Sequence, residues 1–355
     1  MLKKIALILL GLIIVSIVIF FLGPRVKAVQ TIQALDLPKD LDKYLKTSET
    51  KFKDITDGAE KRIFWHHKDK RQTEWSLVYI HGFSATRQES SPVSEQLAKE
   101  LGANLFCTRL AGHGRPSEFL GKSTANQWLN DMNEAYEIGR RIGKKVIVFG
   151  LSTGATLALW MAANKKPKNL AAVLTLAPNF APANKSARIL LMPWGLQIAS
   201  LIAGKEHQWK AANARQEKYW TTRYPIQAVG QMMALVDLLK KTDLSQLTTP
   251  TLVMYHNKDK VVSTKEIEKR FPQIGAKHKE KIVLKDLKCL SGHVVAGDIL
   301  CPKMNKPIIK MILKFLKPLR TTKQTAPTKA REKTSSAQKE PSPRPEGKTA
   351  QPKDR

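Results

Sequence analysis

The sequence predicts an α/β domain: a mostly parallel central sheet, helices on both faces, and a small helical cap inserted above the sheet's carboxyl edge. Three observations carry this. From residue 61 to about 318, short β-rich runs alternate with helical patterns, the order that builds a parallel sheet covered on both sides. The run at 145–150 (Lys-Val-Ile-Val-Phe-Gly) is short and apolar to its end, as strands buried on both faces are. It leads straight into Gly150-Leu151-Ser152-Thr153-Gly154 and a small-residue helical segment, a strand–turn–helix unit.

The N-terminal residues stand apart. Lys3 and Lys4 precede an apolar run from Ile5 to Leu22, broken only by Gly11 and Ser16. At ~1.5 Å per residue this run extends about 27 Å, close to the hydrocarbon core of a bilayer. A cleaved signal usually has a shorter apolar stretch, so residues 1–28 read as an uncleaved transmembrane anchor, with a cleaved signal as the alternative. Lys3 and Lys4 on one side and Arg25 and Lys27 on the other give a slight bias to a cytoplasmic N-terminus and an extracytoplasmic catalytic domain.

Residues 29–60 are polar and mixed and read as a stalk with a short helix. Strands are then expected at 62–65 and 75–80, a helix at 94–101, a strand at 104–110 and a long helix at 124–142. In that helix Trp128, Met132, Ala135 and Ile138 recur at helical spacing and are core. Further strands are expected at 145–150, 170–176, 251–255 and 281–284. Pro307 suits the start of a closing helix whose buried face is Ile308, Ile309, Met311, Ile312, Phe315 and Leu316. Residues 179–241 show no strand pattern but carry Trp194, Trp209 and Trp220 among Leu, Ile and Met. That length exceeds what a crossover needs, and the segment reads as the cap. The main domain therefore spans 61–318. Beyond it, residues 319–355 are rich in Thr, Lys, Pro, Ser, Gln and Glu and are expected to be a disordered basic tail.

Charge narrows the partners. Sixty basic against thirty acidic residues leave +30, which favours anionic surfaces; a solvated lysine surface with a basic tail accounts for it equally. No nucleic-acid motif occurs and aromatics do not alternate with the tail's lysines, so specific nucleic-acid binding is not expected. Three cysteines make no disulfide framework. Cys289 and Cys301 flank His293 and could pair in an oxidising compartment, or all three thiols could be free. No metal-ligand spacing or phosphate-cradling glycine loop is present, so no cofactor is expected.

The chemistry centres on Ser152. A serine at a sharp strand-to-helix turn presents its hydroxyl above the sheet, and glycines two before and two after are needed because side chains there would strike neighbouring elements. The hydroxyl needs a base. Of His207, His256, His278 and His293, only His293, in Ser291-Gly292-His293-Val294 after the last strand, has the position of a base. Asp259 follows the strand before it and is the acid expected to orient the imidazole; Asp243, Glu266, Asp298 and Asp286 are weaker candidates. Oxyanion donors are expected from the backbone N–H groups of Thr153 and Phe83.

Taken together, His81-Gly82-Phe83, Gly112-His113-Gly114, the Gly-Leu-Ser-Thr-Gly elbow, Asp259-Lys260-Val261-Val262 and Ser291-Gly292-His293 resemble the carboxylesterase and monoacylglycerol-lipase branch of the α/β-hydrolases. The resemblance covers about residues 61–318. It implies the α/β-hydrolase fold, hydrolysis of carboxylic esters with medium acyl chains, and a small helical cap. One position departs: the second glycine usual after the elbow is Ala155 here. Gly112-His113-Gly114 reads as a structural loop near the site. The expected function is a membrane-anchored serine hydrolase that cleaves an acyl ester or lipid substrate through an acyl-enzyme. A thioesterase, amidase or acyltransferase with the same residues, or a non-catalytic scaffold of this fold, are the alternatives.

Overall fold

The computed structural model describes residues 1–321; the rest of the expected tail lies outside the described residues. Helix α1 (Leu2–Phe21) has a mean hydropathy of 2.9 and none of its residues is buried. It is long and apolar enough to cross a bilayer, and a signal sequence has the same properties.

Strands β1 (Arg62–Phe64), β2 (Thr73–Ile80), β3 (Asn104–Cys107), β4 (Gly143–Leu151) and β5 (Leu170–Leu176) join two later strands in one sheet. These are β8 (Thr251–His256) and β9 (Lys279–Leu284). The sheet order is β1-β3-β2-β4-β5-β8-β9. Only β1 runs antiparallel to its neighbour. The central run predicted at 145–150 is fully buried from Val146 onward, the burial that its unbroken apolar character requires.

Helices cover both faces. Residues of α5 (Ala125–Ile142) and α6 (Thr153–Lys165) join one apolar cluster with Val78, Ile80, Val146 and Val148. Residues of α3 (Val93–Leu101) and α11 (Asn305–Thr321) join the other with Leu77, Tyr79, Ile147 and Phe149. The alternation of β2 and β4 between the two clusters follows from the period of two along a strand. Thr124 caps α5 in a reciprocal box with Gln127, which satisfies two of the helix's free backbone donors.

Several expectations change. Residues 29–60 do not stand off as a stalk along their whole length. Helix α2 (Leu41–Glu49) buries Leu41 and Leu45, with Leu37 before it, in the first core cluster. Its last residue, Glu49, takes two hydrogen bonds of 2.8 Å from the buried Arg109 guanidinium. Scattered apolar residues among charges concealed this docking face. The strand expected to reach residue 110 ends at Cys107, and the Leu110 N–H beyond it is taken by the His81 ring at 3.0 Å. A short helix, α4 (Ser117–Lys122), was not predicted.

The cap segment also differs. It contains α7 (Gly195–Ala203), α8 (Ala214–Tyr219) and a two-stranded antiparallel ribbon of β6 (Glu206–Gln208) and β7 (Arg223–Pro225). Strands of three residues are too short to show a period. Helix α9 (Ile226–Lys241) packs on α6 as the crossover toward β8, so the insertion proper ends near residue 225. Helix α10 (Thr264–Arg270) fills the crossover between β8 and β9.

Candidate active site

Ser152 sits at the junction of β4 and α6 with φ 53° and ψ −113°. A non-glycine residue at positive φ is strained, and here the surrounding glycines explain how the turn closes. A Cβ on Gly154 would lie 2.1 Å from the Ile80 carbonyl oxygen, and one on Gly150 would lie 2.6 Å from the backbone of residues 154 and 155. Both positions therefore require glycine. Ala155, the departure from the family pattern, is fully buried, so its methyl is accommodated between helix and sheet. Ser152 itself is 6% exposed, and its Oγ has no hydrogen-bond partner among the described residues.

His293 and Asp259 come together. Nδ1 of His293 lies 2.7 Å from Oδ2 of Asp259. The other carboxylate oxygen of Asp259 accepts the Val261 and Val262 N–H groups at 2.8 and 3.1 Å. With its side chain fully buried, Asp259 is held from both ends. Since a carboxylate only accepts, Nδ1 carries a hydrogen, and in the neutral imidazole the lone pair then stands on Nε2. Asp259 lies past β8 and His293 past β9, while Ser152 lies past β4. All three thus stand at the carboxyl edge of the sheet.

The loop that carries His293 is tied down at several points. Ser291 Oγ accepts the His293 and Val294 N–H groups at 3.0 and 3.1 Å. The His256 ring lies 3.2 Å from the Gly292 carbonyl. A Cys289–Cys301 disulfide closes the loop, which settles the pairing left open by the sequence; Cys107 is free and buried. His256, weighed as a base, braces this loop instead.

On the opposite side, His81-Gly82-Phe83 follows β2. The Leu110 N–H donates to His81 Nε2, so Nδ1 bears the hydrogen and donates to the Gly82 carbonyl at 2.8 Å. Burial lowers the His81 pKa to about 4, which keeps the ring neutral in that tautomer. In a trans peptide the N–H points away from the C=O. Fixing the Gly82 carbonyl therefore turns the Phe83 N–H away from His81. Thr153 opens α6, so its N–H is among those no helical carbonyl takes, and the helix dipole adds positive character there.

The cap is fastened to this loop. The Thr221 N–H donates to the Ser84 carbonyl at 2.7 Å, and the Tyr224 ring meets Phe83 edge-on at 5.2 Å. The Gly112-His113-Gly114 loop packs below. Both glycines have positive φ, and His113 is buried against His81, Phe83 and Trp128. Burial holds the His113 pKa well below its usual range, so it is a neutral wall. A cavity of about 790 Å³ elsewhere in the cap is lined only by residues between Gln208 and Thr222 and touches none of these groups.

A parallel sheet with one antiparallel edge, a strained serine at the central strand–helix turn and a histidine–carboxylate pair past the last two strands define an α/β-hydrolase. A family model described as serine aminopeptidase, S33, matches residues 71–288. The chain belongs to that family; the match carries Ser152 and Asp259 and stops just before His293. The chain is similar to the thermostable monoacylglycerol lipase of Bacillus sp. (strain H-257), 25% identical over 222 residues, or 62% of this chain and 84% of that one. Its fold is shared with a structure from the metagenome-derived lipolytic enzymes LipS and LipT (TM-score 0.60, 20% identity, 74% of this chain and 99% of that chain). It is shared too with a soluble variant of monoglyceride lipase from Saccharomyces cerevisiae (TM-score 0.56, 14% identity, 84% and 98%). The protein is a hydrolase of the monoacylglycerol-lipase-like branch.

Proposed function

We propose that the protein is a serine esterase that cleaves carboxylic esters of lipidic character, with Ser152 as nucleophile, His293 as base and Asp259 as its orienting acid. The observation that carries this is the 2.7 Å bond from His293 to the buried, doubly anchored Asp259, on the same sheet edge as the strained serine. In this reading His293 Nε2 takes the Ser152 proton as Oγ attacks the ester carbonyl. The Phe83 and Thr153 amides receive the developing oxyanion. His293 then protonates the departing alcohol, and water clears the acyl-enzyme with His293 again as base. The relative's monoacylglycerol substrate is the guide to the natural ester.

Anchoring to a membrane through α1 completes the reading. Its support is the apolar length of α1 and the way its end joins the cap. The Trp194 indole donates to the Ile19 carbonyl at 3.2 Å, and the Trp194 N–H donates to the Pro24 carbonyl at 3.0 Å. The helix that Trp194 caps leaves Leu201 and Ile202 exposed, the residues a bilayer surface would cover. The basic tail would add attraction to anionic lipids.

The test is hydrolysis of p-nitrophenyl esters from acetate to palmitate by the full chain in detergent, beside Ser152→Ala, with fluorophosphonate labelling of Ser152. Turnover lost in the variant establishes the esterase, and the optimum length sizes the pocket. Labelling without ester turnover would redirect the reading to a thioester or amide. Neither labelling nor turnover would leave the non-catalytic scaffold.

A further inference from the structure

The triad and its oxyanion donors leave several buried acids unused: Glu49 and Glu134 are ion-paired with Arg109 and Lys61, and Glu89 is not. Glu89 is 1% exposed and has no ion-pair partner among the described residues. It closes a short 3-10 turn, Arg87–Glu89, between the loop after β2 and the loop of His293. Its Oε1 accepts the Gly82 N–H at 2.6 Å and the Tyr79 hydroxyl at 2.7 Å. A Cβ on Gly82 would lie 3.1 Å from Glu89 Oε2 and 3.4 Å from Ser152 Cβ. The carboxyl and the nucleophile thus crowd one point, which only a glycine leaves vacant. The same turn meets the histidine loop: a Cβ on Gly297 would lie 2.2 Å from the Glu89 carbonyl oxygen, and the Asp298 N–H donates to Ser91 at 2.9 Å.

We propose that Glu89 is a positioning residue of the oxyanion hole: by holding the Gly82 N–H it fixes the His81–Gly82 peptide, the base from which the next peptide aims the Phe83 N–H at the substrate carbonyl. The inference rests on the serine-hydrolase reading above. Gly82 is then pinned at both of its polar atoms, its N–H by Glu89 and its C=O by the neutral His81. With both taken, the Gly82–Phe83 peptide has little freedom to rotate. An apolar side chain at 89 would leave the Gly82 N–H and the Tyr79 hydroxyl buried without partners. Burial lifts the Glu89 pKa to about 8, so the group is uncharged near neutrality. Because Oε1 already accepts two hydrogens, the acid proton resides on Oε2. A neutral amide can mimic that arrangement, since its carbonyl can stand where Oε1 does.

The test compares the full-length wild type in detergent with Glu89→Gln, Glu89→Asp and Glu89→Leu. Three quantities are measured: the rate of fluorophosphonate labelling of Ser152, kcat and KM on p-nitrophenyl butyrate, and inhibition by a trifluoromethyl ketone that forms an oxyanion adduct. Loss of one oxyanion donor costs ~10²–10³ in turnover, and misaiming one should cost about 10–100-fold. Glu89→Leu and the shorter Glu89→Asp should lose that factor in kcat, labelling rate and ketone affinity alike, with KM nearly unchanged. Glu89→Gln should stay within about threefold of wild type, by the same reasoning. The inference is overturned if Glu89→Asp, or a folded Glu89→Leu, labels and binds the ketone as wild type does. It is overturned too if Glu89→Gln is as impaired as Glu89→Leu, because the acceptor would then not be what matters. A wild-type chain that resists labelling would sink the serine-hydrolase reading itself, a different result from either.

Discussion

Asp259→Asn offers the sharpest probe of the proposed mechanism, because the structure dictates which way the new amide must face. Oδ1 accepts two backbone N–H groups, from Val261 and Val262. An NH₂ cannot accept them, so the amide oxygen must stay there and its nitrogen must face His293. That nitrogen then donates to Nδ1, where the carboxylate had accepted at 2.7 Å. The imidazole shifts to the tautomer with its hydrogen on Nε2, and no lone pair remains to take the Ser152 proton. The same exchange in serine proteases lowers turnover ~10⁴-fold, equivalent to about 5 kcal/mol of barrier. The variant is isosteric and keeps all three hydrogen bonds, so its melting temperature should move little. The assay is kcat/KM on p-nitrophenyl butyrate from pH 6 to 10, with active-site titration to confirm folded enzyme. A loss of less than about tenfold would refute the assignment of Asp259, and the remaining acids near the loop would need testing in turn.

Other outcomes follow from the same geometry. Gly154→Ala puts a methyl 2.1 Å from the Ile80 carbonyl oxygen, which is backbone and cannot step aside; it should cost at least about 1–3 kcal/mol, read as a lower denaturation midpoint. Ala155→Gly, by contrast, should cost only about 1 kcal/mol through helix propensity. The pH dependence of stability should carry the mark of Glu89. Its pKa is raised from 4.5 to about 8, so between those values the folded state holds a proton that the unfolded chain has lost. Stability therefore falls as pH rises through that window, by up to ~1.4 kcal/mol per unit, and levels off above it. Half-buried Asp131, lifted to about 6 by desolvation, slopes the same way, so the measurement is the difference between wild type and Glu89→Gln. Parallel curves for the two would contradict the buried, neutral carboxyl.

The local code was enough for the strand order in sequence, the elbow and the triad candidates. The reason is physical. A strand buried on both faces must be apolar without interruption, and a strand-to-helix turn wedged between β2 and α6 must have glycine at residues 150 and 154. Such constraints act on neighbours in the chain, so they are written in adjacent letters. The meeting of Asp259 with His293 was legible through chain order, since each follows a strand at one edge of the sheet.

What escaped the sequence depends on pairs distant in the chain. Helix α2 looked like part of a solvated stalk because the partner of Glu49, Arg109, is distant in sequence. The cap's ribbon joins strands of three residues, and its register is set by the partner strand alone. Cys289 and Cys301 gave two readings until the loop brought them together. Glu89 carried no motif at all; it is one acid in a polar stretch until β2 and the turn after it fold its carboxyl against Gly82. The sequence by itself determined where the proposed chemistry resides, through steric demands on adjacent residues. Only the tertiary structure decided which side chains hold that chemistry in aim, because a hydrogen bond between distant residues leaves no periodic trace in either segment.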